Sequence, residues 1–352
     1  MISTMQRLGA GLALLLALGG VATAQQLRVL NWQGYGTDEP WAVEAFAEEH
    51  GVEVVHDYFN SEQEMLTRLR TNPGVYDVVL INSSYTQQAV SEGLIQPLNP
   101  DQLSHFEQLD QSLRDHPYLR ADGELYGAAW VWGATAYAVN VNEVTPIPTT
   151  LEALWAPRFS DRLGWRDDAV ESVQLAALAL GQDMNSPTDL DAIKARLIAL
   201  GPQIRTFWSS EDQWNKYMAA GRFDIATYWS GSAARSRKAF ELPIRFVIPE
   251  EGAIGWFDGL SIPVDAPNPE LAHAFIDYLI GPAFYVRWDT EVGAPAPANR
   301  GAMAELPEDA FNRAVMGDPA VTGRLTFMAP IPDQRRNRYL ELWQEVKAAI
   351  VQ

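Results

Sequence analysis

Apolar residues fall in short runs along this chain, separated by stretches with helical spacing. Residues 27–30 and 52–59 read as strands. Between them, residues 38–50 have a helical pattern, with Pro40 in the first turn and Gly51 as the stop. Ser61-Glu62-Gln63-Glu64 has the form of a capping box, in which Ser and Glu side chains serve backbone N–H groups reciprocally. The helix it opens sets Met65, Leu66 and Leu69 on one face. Residues 77–81 form a third strand, wholly apolar from Val78 to Ile81 and so expected inside a sheet. Strand, helix, strand, helix, strand predicts a parallel sheet covered by helices. Ligands of such sheets bind beyond the carboxyl ends of the strands. Those ends are Asn31-Trp32-Gln33-Gly34-Tyr35 and Asn82-Ser83-Ser84-Tyr85, both polar and aromatic.

Further along, residues 130–140 have β-type composition with a break at Gly133. A short helix and turn is expected over 151–159, a strong helix over 171–180 and another near 187–200. Strands are expected over 224–229, 242–248 and 256–263. Helices follow at 269–280 and 281–291, then a Pro-rich loop at 293–298 and a terminal helix at 337–350. No repeat or low-complexity linker appears, so the parts of the chain are not beads on a string.

The first 24 residues read as a leader. Arg7 is the one charge before Arg28, residues 8–22 are apolar and small, and Ala22-Thr23-Ala24 gives a small-x-small cleavage pattern. The run is short for a membrane span. The mature chain is expected to begin near Gln25, with export to a bacterial periplasm.

Composition narrows the chemistry. The chain has 352 residues and 39.1 kDa, and its 12 Trp, 13 Phe and 12 Tyr exclude a solvated disordered tail. That length suggests about two domains. A net charge of −19 disfavours nucleic acid and anionic lipid as partners. Absence of Cys excludes disulfides, thiolate metal sites and cysteine nucleophiles. The five His form no HxH or HExxH, no GxGxxG follows a strand, and Gly231-Ser232 lacks the flanks of a nucleophile elbow. No metal, cofactor or catalytic residue is therefore expected.

Two patterns remain. Asp167-Asp168-Ala169-Val170-Glu171 puts two carboxylates three residues apart at a helix mouth. They read equally as an N-cap with its box, or as partners for a ligand. Trp32, Tyr35, Tyr85, Trp229 and Trp256 sit at polar or Gly-rich strand ends. Asp258 lies two residues after Trp256, and positions i and i+2 of a strand share a face. An aromatic ring and a carboxylate on one face suit a cation.

In these motifs the chain resembles the substrate-binding proteins of bacterial spermidine/putrescine ABC transporters. The resemblance runs through Asn31-Trp32-x-x-Tyr35, Ser83-x-Tyr85, Trp132-Gly133-Ala134-Thr135, Asp167-Asp168-Ala169-x-Glu171, Trp229-x-Gly231-Ser232 and Trp256-x-Asp258. It implies an α/β, type II periplasmic binding fold, two lobes with a ligand cleft between them. Residues 25–135 with 261–303 would form lobe 1, and 136–260 with 304–352 lobe 2. Chain crossings are expected near 135–139 and 256–262. The resemblance implies a ligand box of Trp32, Tyr35, Ser83, Tyr85, Asp168, Glu171, Trp229, Trp256 and Asp258. Its aromatics would flank a methylene chain and its carboxylates would pair with amine nitrogens. The implied partners are a small cationic amine and an inner-membrane ABC permease, with the carrier a monomer. Gly34 stands where the family usually has a carboxylate, and Ala294 where it often has an aromatic. A shorter or modified amine, an amino acid or another organic cation is the alternative ligand. A carboxylate-bearing ligand would need a basic residue in the cleft, and the sequence places none.

Overall fold

A computed structural model describes residues 25–350. The leader reading of residues 1–24 lies outside the described residues. Gln25–Asn31 pairs in parallel with Val52–Tyr58 on one side and Val78–Asn82 on the other. Helices Pro40–His50 and Glu62–Thr71 connect them, giving the expected wing of parallel strands. A second parallel wing is built from Ile225–Trp229, Leu163–Arg166 and Ile204–Trp208.

Two long strands join the wings. Ala128–Asn140 and Ala253–Pro263 run antiparallel to each other along most of their length. Val78–Asn82 pairs with Asp258–Ser261 of the second, and Ile225–Trp229 pairs with Thr135–Val139 of the first. The result is one twelve-stranded sheet, parallel at its wings and antiparallel across its centre. Both long strands are near-continuously apolar because both their faces are covered.

Each wing has its own cores. Leu27, Val29, Phe46, Val78, Trp130, Phe257 and Trp288 belong to one packed cluster, and Tyr137, Trp165, Val173, Ile225 and Ile254 to another. The strand Ala253–Pro263 therefore passes from one core to the other between Ile254 and Phe257. Helix Asp333–Ile350 packs Tyr339, Leu342, Trp343 and Val346 into the second core. It begins four residues before the expected start, with Arg336 paired to Asp333 one turn back at 2.9 Å. No helix among the described residues is long and apolar enough to cross a membrane.

The expected break at Gly133 does not occur. Strand Ala128–Asn140 is continuous, and Gly133 is the position over which the Trp256 ring lies. A Cβ there would stand 2.6 Å from Trp256 Cη2 and 2.7 Å from Ser230 Oγ, so the glycine answers to packing and not to a turn. Two helices, Ser83–Ser91 and Ser230–Ala239, start directly where strands end. Their Ser-rich first turns carry little apolar periodicity, which is why the pattern read them only as strand ends. Residues 151–159 form two 3-10 turns, Leu151–Trp155 and Pro157–Phe159, split at Ala156-Pro157 by the proline's bias against helix. Ser61 does accept a hydrogen bond from the Glu64 N–H at 3.1 Å, but Glu64 returns to the Asn60 N–H rather than to Ser61.

Candidate functional site

Strand ends set the site. Asn31, Tyr58 and Asn82 close the parallel strands of one wing, and Arg166, Trp208 and Trp229 those of the other. The crossing strand supplies Trp256, in register with Gly133, and Asp258, in register with Asn82.

Asp258 anchors one group. Its carboxylate is buried, accepting from Tyr35 Oη and from Asn82 Nδ2, each at 2.9 Å. Asn82 is held in turn by its own helix, its Oδ1 accepting from the Ser84 N–H at 3.1 Å and Ser84 Oγ at 2.6 Å. Burial pushes the Asp258 carboxyl up to about 6, and the two hydrogen bonds only partly oppose this. Glu62 stands close enough for the Asp258 charge to act on it. Burial first, then that charge, raises the Glu62 carboxyl well above the usual carboxylate range. One Glu62 oxygen, Oε2, is buried without a partner. Among the described residues, no basic side chain forms an ion pair with either carboxylate.

Arg166 and Glu171 anchor the second group. Asp168 caps helix Ala169–Ala179, its Oδ1 accepting from the Glu171 N–H at 2.9 Å. Glu171 does not complete the box, since the Asp168 N–H donates to the Arg166 carbonyl. Instead the buried Glu171 carboxylate pairs with Arg166 and accepts from Trp229 Nε1 at 3.0 Å and Thr135 Oγ1 at 3.4 Å. Burial raises the Glu171 carboxyl and the Arg166 charge opposes it. Tyr85, on the other wing's helix, feels both Asp168 and Arg336, and burial pushes its phenol up to about 12.

Of the nine residues singled out in the sequence, Tyr35 touches Asp258, and Asp168, Glu171 and Trp229 form one connected cluster. Trp256 lies over Gly133, with its buried Nε1 unpartnered. Trp32 is half-buried and edge-on to Phe59 at 4.6 Å. Ser83 is buried as the first residue of its helix. Neither makes a side-chain hydrogen bond to another of the nine.

The sequence reading missed the arginines. The Arg166 guanidinium lies 4.4 Å from the Trp229 ring centroid, Arg336 4.8 Å from that of Tyr85 and Arg235 5.7 Å from that of Tyr35. Three of the candidate aromatics thus already face the protein's own cations. Arg235 is locked to Glu211 by Nε at 3.0 Å and Nη2 at 2.5 Å, and Ser232 joins the same carboxylate. Gly34 has φ +70° and donates its N–H to Asp38 Oδ2 at 2.8 Å. Ala294 is fully buried in the first core, so its position contributes no cleft wall. The two groups differ: Asp258 has no cationic partner among the described residues, whereas Arg166 pairs with Glu171 and lies 3.9 Å from Asp168. An ammonium about 4 Å from the Arg166 guanidinium costs about 4 kcal/mol at an effective dielectric of about 20.

Arg166 and Glu62 carry no motif that marks them as ligand groups beforehand, and Asn82 was marked only as part of a polar strand end. Glu62 lies within the capping-box tetrapeptide, which drew attention to Ser61 and Glu64 instead.

Comparison with known proteins supplies the family. The family model for bacterial extracellular solute-binding proteins matches residues 41–314. The spermidine/putrescine-binding periplasmic protein of Salmonella typhimurium is 31% identical over 341 residues, covering 96% of each chain. That of Escherichia coli is 32% identical over 292 residues, 82% of each chain. The solved spermidine/putrescine ABC transporter substrate-binding protein of Streptococcus pneumoniae has a TM-score of 0.81 at 24% identity, covering 93% of this chain and 100% of that one. The fold is that of the periplasmic substrate-binding proteins. With the family model matched over 41–314 and relatives above 30% identity along most of the chain, the chain belongs to the bacterial extracellular solute-binding protein family.

Proposed function

We propose that this solute-binding protein is the periplasmic receptor of an ABC importer and takes a small organic amine between its two wings. The observation that carries the reading is Asp258. A buried carboxylate with no ion-pair partner among the described residues is costly unless a cation arrives. An ammonium group meets that need, with Tyr35 and Asn82 holding the Asp258 oxygens in place. Trp32, Ser83, Tyr85, Asp168, Glu171, Trp229 and Trp256 line the remainder of the proposed site. The relatives named for spermidine and putrescine support an amine as the ligand class.

In this reading two bodies close on the ligand, residues 25–135 with 261–303 and residues 136–260 with 304–352, except that Phe257–Leu260 go with the first, since Phe257 packs in its core and Asp258 pairs with Asn82. The leader at 1–24 directs export, and an inner-membrane permease receives the loaded monomer. No nucleic acid, cofactor or catalytic step takes part. Thermal-shift and calorimetric titration with amines, amino acids and sugars tests the proposal. A bound amine raises the melting point by mass action. Binding of roughly micromolar strength, about −8 kcal/mol, is expected. A sugar that stabilises the protein while no amine or amino-cation does so overturns it.

A further inference from the structure

Arg166 is the feature that an all-cation ligand leaves unused. It ends the strand Leu163–Arg166, where ligands of parallel strands bind, and its backbone N–H is fixed to Thr227 Oγ1 at 2.9 Å. Its guanidinium lies over the Trp229 ring, 4.4 Å from the centroid, and is held on one edge by Glu171. Nε has no hydrogen-bond partner among the described residues, and the Asp168 carboxylate stands 3.9 Å from Nη2, beyond hydrogen-bond reach. A fixed planar fork of N–H donors matches a carboxylate and repels an ammonium.

A second observation agrees. Trp256 Nε1 is a buried donor without an acceptor, on a side chain 9% exposed. A protonated polyamine only donates and satisfies neither group. Trp256 Nε1 lacks an acceptor while Asp258 lacks an ion-pair partner among the described residues, and a ligand of both signs answers both.

We propose that the ligand is an amine that also carries a carboxylate, its ammonium on Asp258 and its carboxylate on the Arg166 fork. This rests on the amine reading above and narrows it to an amino acid whose charged groups lie apart, such as an ω-amino acid. Trp229 then serves by stacking Arg166 and not by stacking the ligand's cation.

The test pairs ligands of equal length. ω-Amino acids from 3-aminopropanoate to 6-aminohexanoate are titrated beside the diamines of matching carbon chain, using the wild-type protein and Arg166→Gln. At least one amino acid should bind the wild type roughly tenfold or more tightly than its diamine. Arg166→Gln should weaken that amino acid roughly 10- to 100-fold, the loss of a charged hydrogen bond, and improve the diamine. Arg166→Lys keeps the charge without the fork and should fall between them. It also serves if Arg166→Gln does not fold, as Glu171 would then be buried unpaired. Diamines that bind the wild type more tightly throughout the series overturn this inference and leave the amine reading standing. An absence of binding by both series removes the amine reading itself.

Discussion

Asp258 combines burial, two neutral donors and a nearby second acid, and each has a measurable consequence. Asp258→Asn keeps the shape and removes the charge. Calorimetry with the identified ligand should show a loss of roughly 2–5 kcal/mol, much of it from leaving the ligand's cation unpaired. An unchanged affinity would take Asp258 out of the site. The pH dependence has a definite sign. The folded carboxyl titrates at about 6 against an ordinary 3.8, so the native state holds its proton more tightly than the unfolded state. The stability this group gives the ligand-free protein is present below about pH 4 and is lost as pH rises through about 6. The full difference is about 3 kcal/mol. Binding runs the other way, because only the carboxylate form meets an ammonium, so affinity should fall as pH drops below about 6. Denaturant unfolding of the ligand-free protein at pH 4.5 and 7 checks the first, and Asp258→Asn should flatten the slope. At Gly34 the backbone has φ +70° with open space for a side chain. Gly34→Asp should cost about 1–2 kcal/mol of stability, since left-handed backbone disfavours any Cβ. Thermal unfolding measures it.

At the scale of elements, the crossing strands hold the site together. Gly133 leaves room for Trp256, and Trp256 shares its strand with Asp258. Gly133→Ala should force the ring aside, destabilising the protein by about 1–3 kcal/mol and weakening ligand binding together with stability. Urea unfolding and calorimetry on the same variant measure both, and a variant as stable as wild type would show that the ring has another place to go. Strand Val78–Asn82 was legible because burial on both faces leaves an apolar run from Val78 to Ile81, and Ala253–Pro263 was legible only over 256–263. Helix Ser230–Ala239 was not, since Ser-Gly-Ser-Ala-Ala-Arg-Ser-Arg carries no apolar stripe and its inner face is filled by small and polar groups such as Ser232 and Ser236. Asp168, Glu171 and Asp258 were legible through their spacing and a family motif, and Glu62 was not. The site's arginines were not, because a lone Arg166 after an apolar strand looks like any solvated strand end. What makes it special is the carboxylate and the indole that two other segments bring to it. Glu171 shows the same limit: its spacing left it open between a capping box and a ligand partner, and its carboxylate faces inward to Arg166 and Trp229.

Across the whole molecule, the wings meet through side chains as well as through the sheet. Arg336, on the terminal helix that packs in the second core, lies over the Tyr85 ring of the first wing. Arg235, from helix Ser230–Ala239, lies beside Tyr35, whose ring packs on Trp130 and Trp288 of the first core. Contacts of this kind exist only when the wings are close, so they favour the closed arrangement in any open–closed equilibrium. A ligand shifts that equilibrium only by the difference in its contacts between the two states. Its ammonium on Asp258 and its other end near Arg166 would touch both wings, which is the required difference. Small-angle scattering should show a smaller radius of gyration with saturating ligand than without. Arg336→Ala removes a cation–π contact of a buried guanidinium, about 1–2 kcal/mol, along with its hydrogen bonds to Asp333 and the Ile331 carbonyl. It should lower apparent affinity a few-fold, chiefly through faster dissociation, while Asp258 and Arg166 remain intact. Stopped-flow release measures that rate. Equal release rates for variant and wild type, together with identical scattering profiles with and without ligand, would mean that the wings form one rigid body and that the ligand enters a cleft already formed.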